Sequence, residues 1–388
     1  MQRYEYGDAR EAVAERGDDV SRVISFFIFN TEVHFHAYAS DGQSVSDPAV
    51  SRRLDAALAA CRDRCLYFEH RLSRTRPESD ICRAHSCAPA EVGIAPETAD
   101  LIRRSLGYCE RSRGTFDVTM GTVTRLWDFH EGVVPSPLSL SRALPHLGCS
   151  HIHLGGTAAA PTLSIDDPET VLDLGGVAKG YIADDLAGIL LDHGVERFVI
   201  NLGGNVLVRG GRPRDDAARP PVHAGAPWKI GIVNPRDPAH YRAIVDVSDG
   251  SVVTSGLHER RFTRGGRTYH HILNPMDGMP ARTDVASATI IASASIDCDG
   301  YSTAALMLGM DEGPAFVEGI DGVEGVFISD ADDVRWTSGM DRPFGAHAPA
   351  LVGSDAPSPT VRPRPPAWSA LARYCDKLCQ WRARCHLL

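Results

Sequence analysis

Apolar positions in this chain change period several times, and each change predicts an element. From Arg22 to Tyr38, Val23, Ile24, Phe26, Phe27, Ile28, Phe29, Val33, Phe35 and Tyr38 crowd around polar Asn30-Thr31. That density of β-formers about a polar centre predicts strand, turn and strand. Between Pro48 and Leu72 the spacing becomes three and four, through Leu54, Leu58, Cys61, Cys65, Phe68 and Leu72. This is one apolar face of a helix, expected to pack on the hairpin. Ser79-Asp80-Ile81 reads as a polar turn, and Leu101, Ile102, Leu106 and Cys109 predict a second helix over Pro96–Ser112 that stops at Gly114.

The stretch 133–170 is rich in Pro, Ser and His and reads as an excursion carrying a short strand, Thr162 to Ile165. Beyond it, Ile182, Leu186, Ile189 and Leu190 predict a helix over Tyr181–His193, closed by Gly194 and followed by a strand at Arg197–Ile200. The remainder is β-rich: strands are predicted at Trp228–Val233, Ala243–Val247, Val285–Ala292 and Gly325–Ser329, with a helix after Asp311.

Composition narrows the class. With 388 residues, 43% of them hydrophobic and 23% charged, the chain can bury one large core or two smaller ones. A formal charge of −10 gives no support for wrapping nucleic acid, although basic runs occur at Arg260-Arg261 and from Arg362 to Arg384. The apolar run Val23–Phe29 is too short to span a bilayer and follows an acidic leader, so neither a membrane span nor a signal peptide is expected. Ten scattered cysteines fit free thiols in a reducing cytoplasm, the expected location. Residues 1–21 read as a flexible leader. Residues 346–388 read as a Pro-rich linker and a basic tail in which Cys375, Cys379, Cys385 and His386 match no zinc module, so a disordered or docking tail is preferred.

Candidate chemistry centres on Asp173-Leu174-Gly175-Gly176-Val177-Ala178-Lys179-Gly180, with Asn201-Leu202-Gly203-Gly204-Asn205 after the next helix. A glycine loop entering a helix offers unpaired N–H groups to a phosphate, and Asp173 and Lys179 add charge. The same glycines can simply make tight turns. Asp117, in Thr115-Phe116-Asp117-Val118-Thr119-Met120-Gly121, either accepts hydrogen bonds from a ring or caps a turn. On a helix, Asp299 and Thr303 share a face and suit a hard cation such as magnesium, although Asp-Gly and Ser-Thr also cap helices. His270-His271-Ile272-Leu273-Asn274-Pro275 supplies a group of near-neutral pKa. Neither a Walker A, a Rossmann nor a G-x-S-x-G signature is present.

Taken in order over roughly Arg22 to Gly345, these segments resemble the ApbE family, the FAD:protein FMN transferases. The carriers are Thr115–Gly121 with Leu126-Trp127, Asp173–Gly180 with Asp184, Asn201–Gly204, Thr254-Ser255-Gly256, Tyr269–Pro275 with Gly278, and Asp299–Thr303. The resemblance implies a single α+β domain over 22–345, related to the T-fold, with mixed or antiparallel sheets and packed helices. It implies FAD as substrate, Mg²⁺ as cofactor, and transfer of FMN to a threonine of an acceptor flavoprotein with release of AMP. By the same resemblance Asp299, Thr303 and the Gly176 carbonyl match metal ligands, while Thr115, Phe116, Asp117, Asp173, Lys179 and Ile272 match residues at the flavin nucleotide. His271 and Lys179 match the residues implicated in chemistry; the proton acceptor is His271 or, if a carboxylate serves, Asp173, and His270 reads as structural. FAD diphosphate hydrolysis and non-catalytic FAD binding remain alternatives. Phe29-Asn30-Thr31, Thr75, Leu257-His258 and Asp277-Gly278 depart from the family pattern.

Overall fold

Nine strands hydrogen-bond in strict chain order into one antiparallel sheet: β1 Val13–Glu15, β2 Ser21–Ile28, β3 Thr31–Tyr38, β4 Arg197–Leu202, β5 Asn205–Arg209, β6 Gly250–Gly256, β7 Val285–Ala292, β8 Val323–Ser329 and β9 Val334–Trp336. This sheet is the spine of a computed structural model that describes residues 13–15, 19–212, 225–258 and 260–341. The expected linker and tail, 346–388, and most of the expected leader lie outside the described residues, but Val13–Glu15 pairs with Val23–Ser25 and so joins the sheet.

The first hairpin turns at Phe29-Asn30, one residue earlier than the polar centre suggests. Ile28 pairs with Thr31, and Phe29 and Asn30 carry φ of 54° and 58°. A two-residue loop with both central residues at positive φ matches the right-handed twist of the flanking strands. The second glycine pair does the same job: Leu202 pairs with Asn205 across Gly203-Gly204, at φ 63° and 96°. The bland reading therefore holds there, since these glycines close a hairpin.

Six principal helices accompany the sheet: α1 Pro48–Leu72, α2 Asp80–Cys87, α3 Pro96–Arg111, α4 Ala178–Asp192, α5 Ser295–Met307 and α6 Gly309–Glu318. Helix α1 occupies the predicted span, with Leu54, Ala57, Cys61, Cys65 and Phe68 buried against Phe35 of β3 and Leu186 of α4. Helix α2 replaces the expected polar turn. Ser79 caps it by accepting from Cys82 N, and fully buried Asp80 accepts from Ala95 N at 2.9 Å and Thr98 Oγ1 at 2.8 Å. Those bonds, with the Arg83 guanidinium at 2.7 Å, make Asp80 a structural anchor.

Helix α4 begins at Ala178, earlier than Tyr181, so Lys179 and Gly180 sit in its first turn instead of in a loop. Helix α5 packs on β6 and β7 and against α4. The other face of the sheet is covered by the hairpin Trp228–Asn234/Asp237–Val247, whose Trp228, Ile232, Val245 and Val247 bury Val252, Ile291 and Val326. Because β7 is covered on both sides, all eight of its residues are buried, which explains why small and apolar residues occupy both of its faces, with only Ser287 and Thr289 polar. Between α3 and α4 the chain forms the short helices Gly121–Thr124 and Pro137–Ala143 and, in the Pro/Ser/His-rich excursion, the strands Ile152–Gly156 and Pro161–Ile165, the latter also pairing with Val92–Gly93 from before α3. Contrary to the expectation of free thiols, Cys109 at the end of α3 and Cys149 in this excursion pair as a disulfide, because the chain returns across the α3 terminus. Cys61, Cys65, Cys82, Cys87 and Cys298 are free.

Helix α4 packs against the start of α5 at Gly180, where an added Cβ would lie 2.6 Å from Ile296 Cα, in backbone that cannot step aside. Gly180→Ala is expected to destabilise the fold by about 1–3 kcal/mol through overpacking, despite the better helix propensity of alanine. Urea unfolding measures this, and an unchanged or higher midpoint would contradict the packing argument.

Candidate active site

Asp299 lies one turn into α5, 5% exposed, and faces the first turn of α4. Its Oδ2 accepts from Gly180 N at 2.6 Å and its Oδ1 from Asn205 Nδ2 at 3.1 Å. Asn205 is itself held by Ser295 Oγ, which donates to Asn205 Oδ1 at 2.8 Å. Burial pushes the Asp299 carboxyl above its ordinary range, and the Lys179 charge, the Gly180 N–H and the Asn205 amide pull it back. A buried carboxylate with two neutral donors and one nearby ammonium retains lone pairs and uncompensated charge, the condition in which a cation binds.

Around Asp299 the remaining donors are oxygens. Thr303 follows one helical turn later, and its Oγ1 lies 3.3 Å from Ser255 Oγ; Ser255 also meets Ser302 Oγ at 2.8 Å. Ser302 Oγ in turn donates to the Asp299 carbonyl at 3.3 Å. Strand β6 thus delivers Ser255, and α5 delivers Asp299, Ser302 and Thr303, to one polar seam. An all-oxygen set of this kind fits magnesium better than a soft transition metal.

The Asp173–Gly180 segment enters this seam from the excursion. Asp173 N donates to the Val118 carbonyl at 2.6 Å, which ties it to the Thr115–Gly121 segment. The Asp173 carboxylate accepts from Gly175 N at 2.9 Å and pairs with Arg74 at 3.0 Å, a partner that the sequence reading passed over. Gly176 is exposed, and a Cβ there would lie 3.1 Å from the Phe116 ring, so the glycine permits loop and ring to touch. Phe116 is 6% exposed and shares a core with Leu174, Val177, Ile272 and Tyr301. Ile272 is accordingly a packed core residue. Thr115, half-buried, begins the turn after α3 with its N–H on the Ser112 carbonyl. Asp117 accepts from Thr119 N at 2.7 Å and Thr119 Oγ1 at 2.6 Å, a local turn arrangement, and lies 3.4 Å from Cys149 Sγ.

His271 follows the hairpin Arg261–Arg264/Arg267–His270, and its N–H donates to the Arg260 carbonyl at 3.1 Å. Burial depresses its imidazole to about 4, with the positive charge of Arg260 and the neighbouring His270 and His258 acting the same way. It is therefore neutral near pH 7. Its Nδ1 is buried without a hydrogen-bond partner, as is that of His270, but His270 also donates Nε2–H to the Ala281 carbonyl at 3.2 Å. Among the described residues no hydrogen bond joins His271 to the Asp299 network; the two are linked through the shared core at Ile272 and Tyr301. Leu257 packs partly on the same core, and the His258 ring lies against Gly256.

Asn205, Ser255 and Ser302 lie in segments that the sequence singles out without giving them a role, and Arg74 has no signal there. For Asn205 that signal is a polar residue following a turn at the head of a buried strand.

The ApbE family model matches residues 29–327. The chain belongs to the ApbE family. It is 35% identical over 280 residues to a protein of Treponema pallidum named FAD:protein FMN transferase, covering 69% of this chain and 76% of that one. To the Salmonella typhimurium protein of the same name it is 28% identical over 244 residues, covering 61% and 67% of the two chains. The crystal structure of the ApbE protein from Thermotoga maritima superposes with a TM-score of 0.69 at 26% identity, over 82% of this chain and 97% of that one. The α+β fold is thus that of the family.

Asp184 on α4 braces the seam by accepting from Ser295 N at 2.7 Å and Ile296 N at 3.0 Å, the free N–H groups at the start of α5. Burial nevertheless pushes its carboxyl up to about 6, against those two N–H donors. The folded state then holds the proton more tightly than the unfolded chain, so this contribution is present at low pH and is lost as pH rises through about 6. Asp184→Asn is expected to flatten the wild-type fall in unfolding free energy between about pH 4 and pH 7, by roughly 2–3 kcal/mol. Urea titrations across that range test it, and parallel curves for the two proteins would contradict the assignment.

Proposed function

We propose that this protein transfers the FMN moiety of FAD to a threonine hydroxyl of an acceptor flavoprotein and releases AMP. The observation that carries the reading is the buried Asp299, set between the Lys179–Gly180 turn and the Ser255/Ser302/Thr303 hydroxyls, in a chain of the ApbE family. In this reading Asp299, Thr303 and the Gly176 carbonyl hold Mg²⁺, which the all-oxygen donor set and the uncompensated buried carboxylate favour. When bound, the ion supplies Lewis-acid stabilisation of charge on the diphosphate oxygens.

The residues of the chain divide the remaining work. Phe116 offers an apolar ring to the flavin side, with Thr115, Asp117 and Ile272 shaping that wall. Asp173, oriented by Arg74 and Gly175, provides hydrogen-bond acceptors for the nucleotide. Lys179, at the N-terminus of α4, brings an ammonium and the helix end to bear on the diphosphate. The threonine oxygen forms a new bond to the phosphorus of the FMN phosphate, and the anhydride bond to the AMP phosphate breaks. The threonine proton passes to the imidazole of His271, neutral at physiological pH, and AMP departs with the bonding pair of the broken anhydride.

The test is incubation with FAD and Mg²⁺, with and without a flavoprotein carrying a target threonine, following AMP and the intact mass of the acceptor. AMP released only with an acceptor that gains an FMN adduct supports the transfer. AMP without acceptor would mean hydrolysis, and FAD binding without AMP would mean a binding protein. Asp299→Asn keeps an acceptor for Gly180 N–H but removes the charge, and should lower Mg²⁺-dependent turnover by about 100-fold or more; wild-type turnover at low Mg²⁺ would exclude Asp299 as the ligand. If His271 takes the proton, kcat/KM should hold down to about pH 5 and fall only near the depressed pKa of the free imidazole. His271→Asn should cost about 10²–10⁴-fold and abolish that limb. A limb persisting in His271→Asn would shift the role to another group, with Asp173 the next candidate.

A further inference from the structure

The hairpin that leads into His271 carries one of the basic runs of this acidic chain. Arg260, Arg261, Arg264 and Arg267 are exposed, and none forms an ion pair with a carboxylate among the described residues. From Arg260 to Met276 the sequence contains no Asp or Glu, although the whole chain carries a formal charge of −10. The strands pair Arg261 with His270 and Arg264 with Arg267, so Arg264 and Arg267 stand at the tip on the face of Phe262 and Tyr269, Arg261 stands on the opposite face, and the base of the ribbon is fastened to His271 through the Arg260 carbonyl.

Beside Arg264 and Arg267, on the same face, is an aromatic shelf. Phe262 and Tyr269 stack at 5.3 Å between centroids, Phe129 lies 5.9 Å from Phe262, and Arg267 covers Tyr269 at 5.3 Å. Trp127 joins the shelf to the loop after His271 by donating to the Gly278 carbonyl at 3.1 Å, and Met276 of that loop is 85% exposed. Arginine, aromatic rings and methionine are the residue types enriched where proteins meet, and lysine, which dominates ordinary solvated edges, is absent from the ribbon. Charge of one sign at the lip of a site steers a partner of the opposite sign.

We propose that the ribbon Arg261–His270 is the docking surface for the acceptor protein, and that it recognises a carboxylate-rich face around the target threonine. This rests on the transfer reading of the His271 site. The ribbon supplies encounter rate and orientation, and His271 and the Asp299 seam supply the chemistry.

The experiment uses the full chain and a fluorescein-labelled oligoglutamate peptide followed by anisotropy. Three proteins are compared: wild type, Arg261→Gln/Arg264→Gln/Arg267→Gln, and a control of equal charge change on the helices, Arg52→Gln/Arg103→Gln/Arg104→Gln. Wild type and control should bind the peptide alike, with affinity that falls as salt is raised, and the ribbon variant should bind about tenfold more weakly or worse. Arg264→Gln alone should show an intermediate loss if the triple variant proves unstable. Equal binding by all three proteins, equal loss in the control, or no peptide binding by wild type would overturn the proposal. So would a loss of FAD affinity in the ribbon variant, which would make the arginines part of the nucleotide site. Concentration-dependent self-association of wild type that the variant lacks would instead identify a second copy as the occupant, and binding of a single-stranded oligonucleotide in place of the peptide would identify nucleic acid. Acceptor-dependent AMP release, measured on the same preparations with FAD, Mg²⁺ and the flavoprotein of the transfer assay, separates the two readings. Ribbon-dependent peptide binding without AMP in any assay sinks the transfer reading alone, whereas AMP release with ribbon-independent binding sinks the docking surface alone.

Discussion

A carboxylate buried at a helix crossing is the constraint around which this structure is arranged. Asp299 can remain there only because Gly180 has no side chain: the missing Cβ lets α4 approach α5 closely enough for the Gly180 N–H to reach Asp299 Oδ2 at 2.6 Å. The same approach places Lys179 near enough to favour the ionised form. Asn205, fixed by Ser295, supplies the second donor. Each partner is neutral or only partly compensating, so the charge of Asp299 is held in place without being satisfied. Such a group has the potential to bind a cation strongly.

The antiparallel sheet explains how residues from distant parts of the chain converge there. Its strands follow chain order, yet long excursions interrupt the order between β3 and β4 and between β6 and β7. The first excursion returns through Asp173–Gly180 and α4; the second carries the ribbon and His271 and returns through β7 to α5. Both re-enter on the side of the sheet where α4 and α5 pack. The apolar wall of Phe116, Leu174, Val177 and Ile272 lies between them, so the polar seam and the histidine share one core.

Much of the fold was legible because its signals are local. The period of α1 placed that helix at Pro48–Leu72, and the run of small and β-branched residues placed β7 at Val285–Ala292. Helix α2 escaped notice because Ser79 and Asp80 look like a turn until Ala95 and Thr98 arrive as hydrogen-bond partners from beyond the helix. The start of α4 was displaced for a similar reason, since glycine and lysine at a helix N-terminus read as loop. Within the site, Asp299 and Thr303 could be paired by helical spacing, but the importance of Asn205, Ser255 and Arg74 depends on contacts across 94, 48 and 99 positions of sequence. No single-chain period encodes such contacts. The disulfide between Cys109 and Cys149 was hidden in the same way, as two cysteines among ten.

The central claim is that Asp299 is the anchor of a cation that meets the diphosphate of FAD. Anomalous diffraction from crystals grown with FAD and Mn²⁺, as a stand-in for Mg²⁺, tests it most directly. The account predicts a single anomalous peak within coordination distance of the Asp299 carboxylate and Thr303 Oγ1, with the diphosphate on its open side. A peak elsewhere, with FAD bound and Asp299 still holding only Gly180 and Asn205, would contradict it.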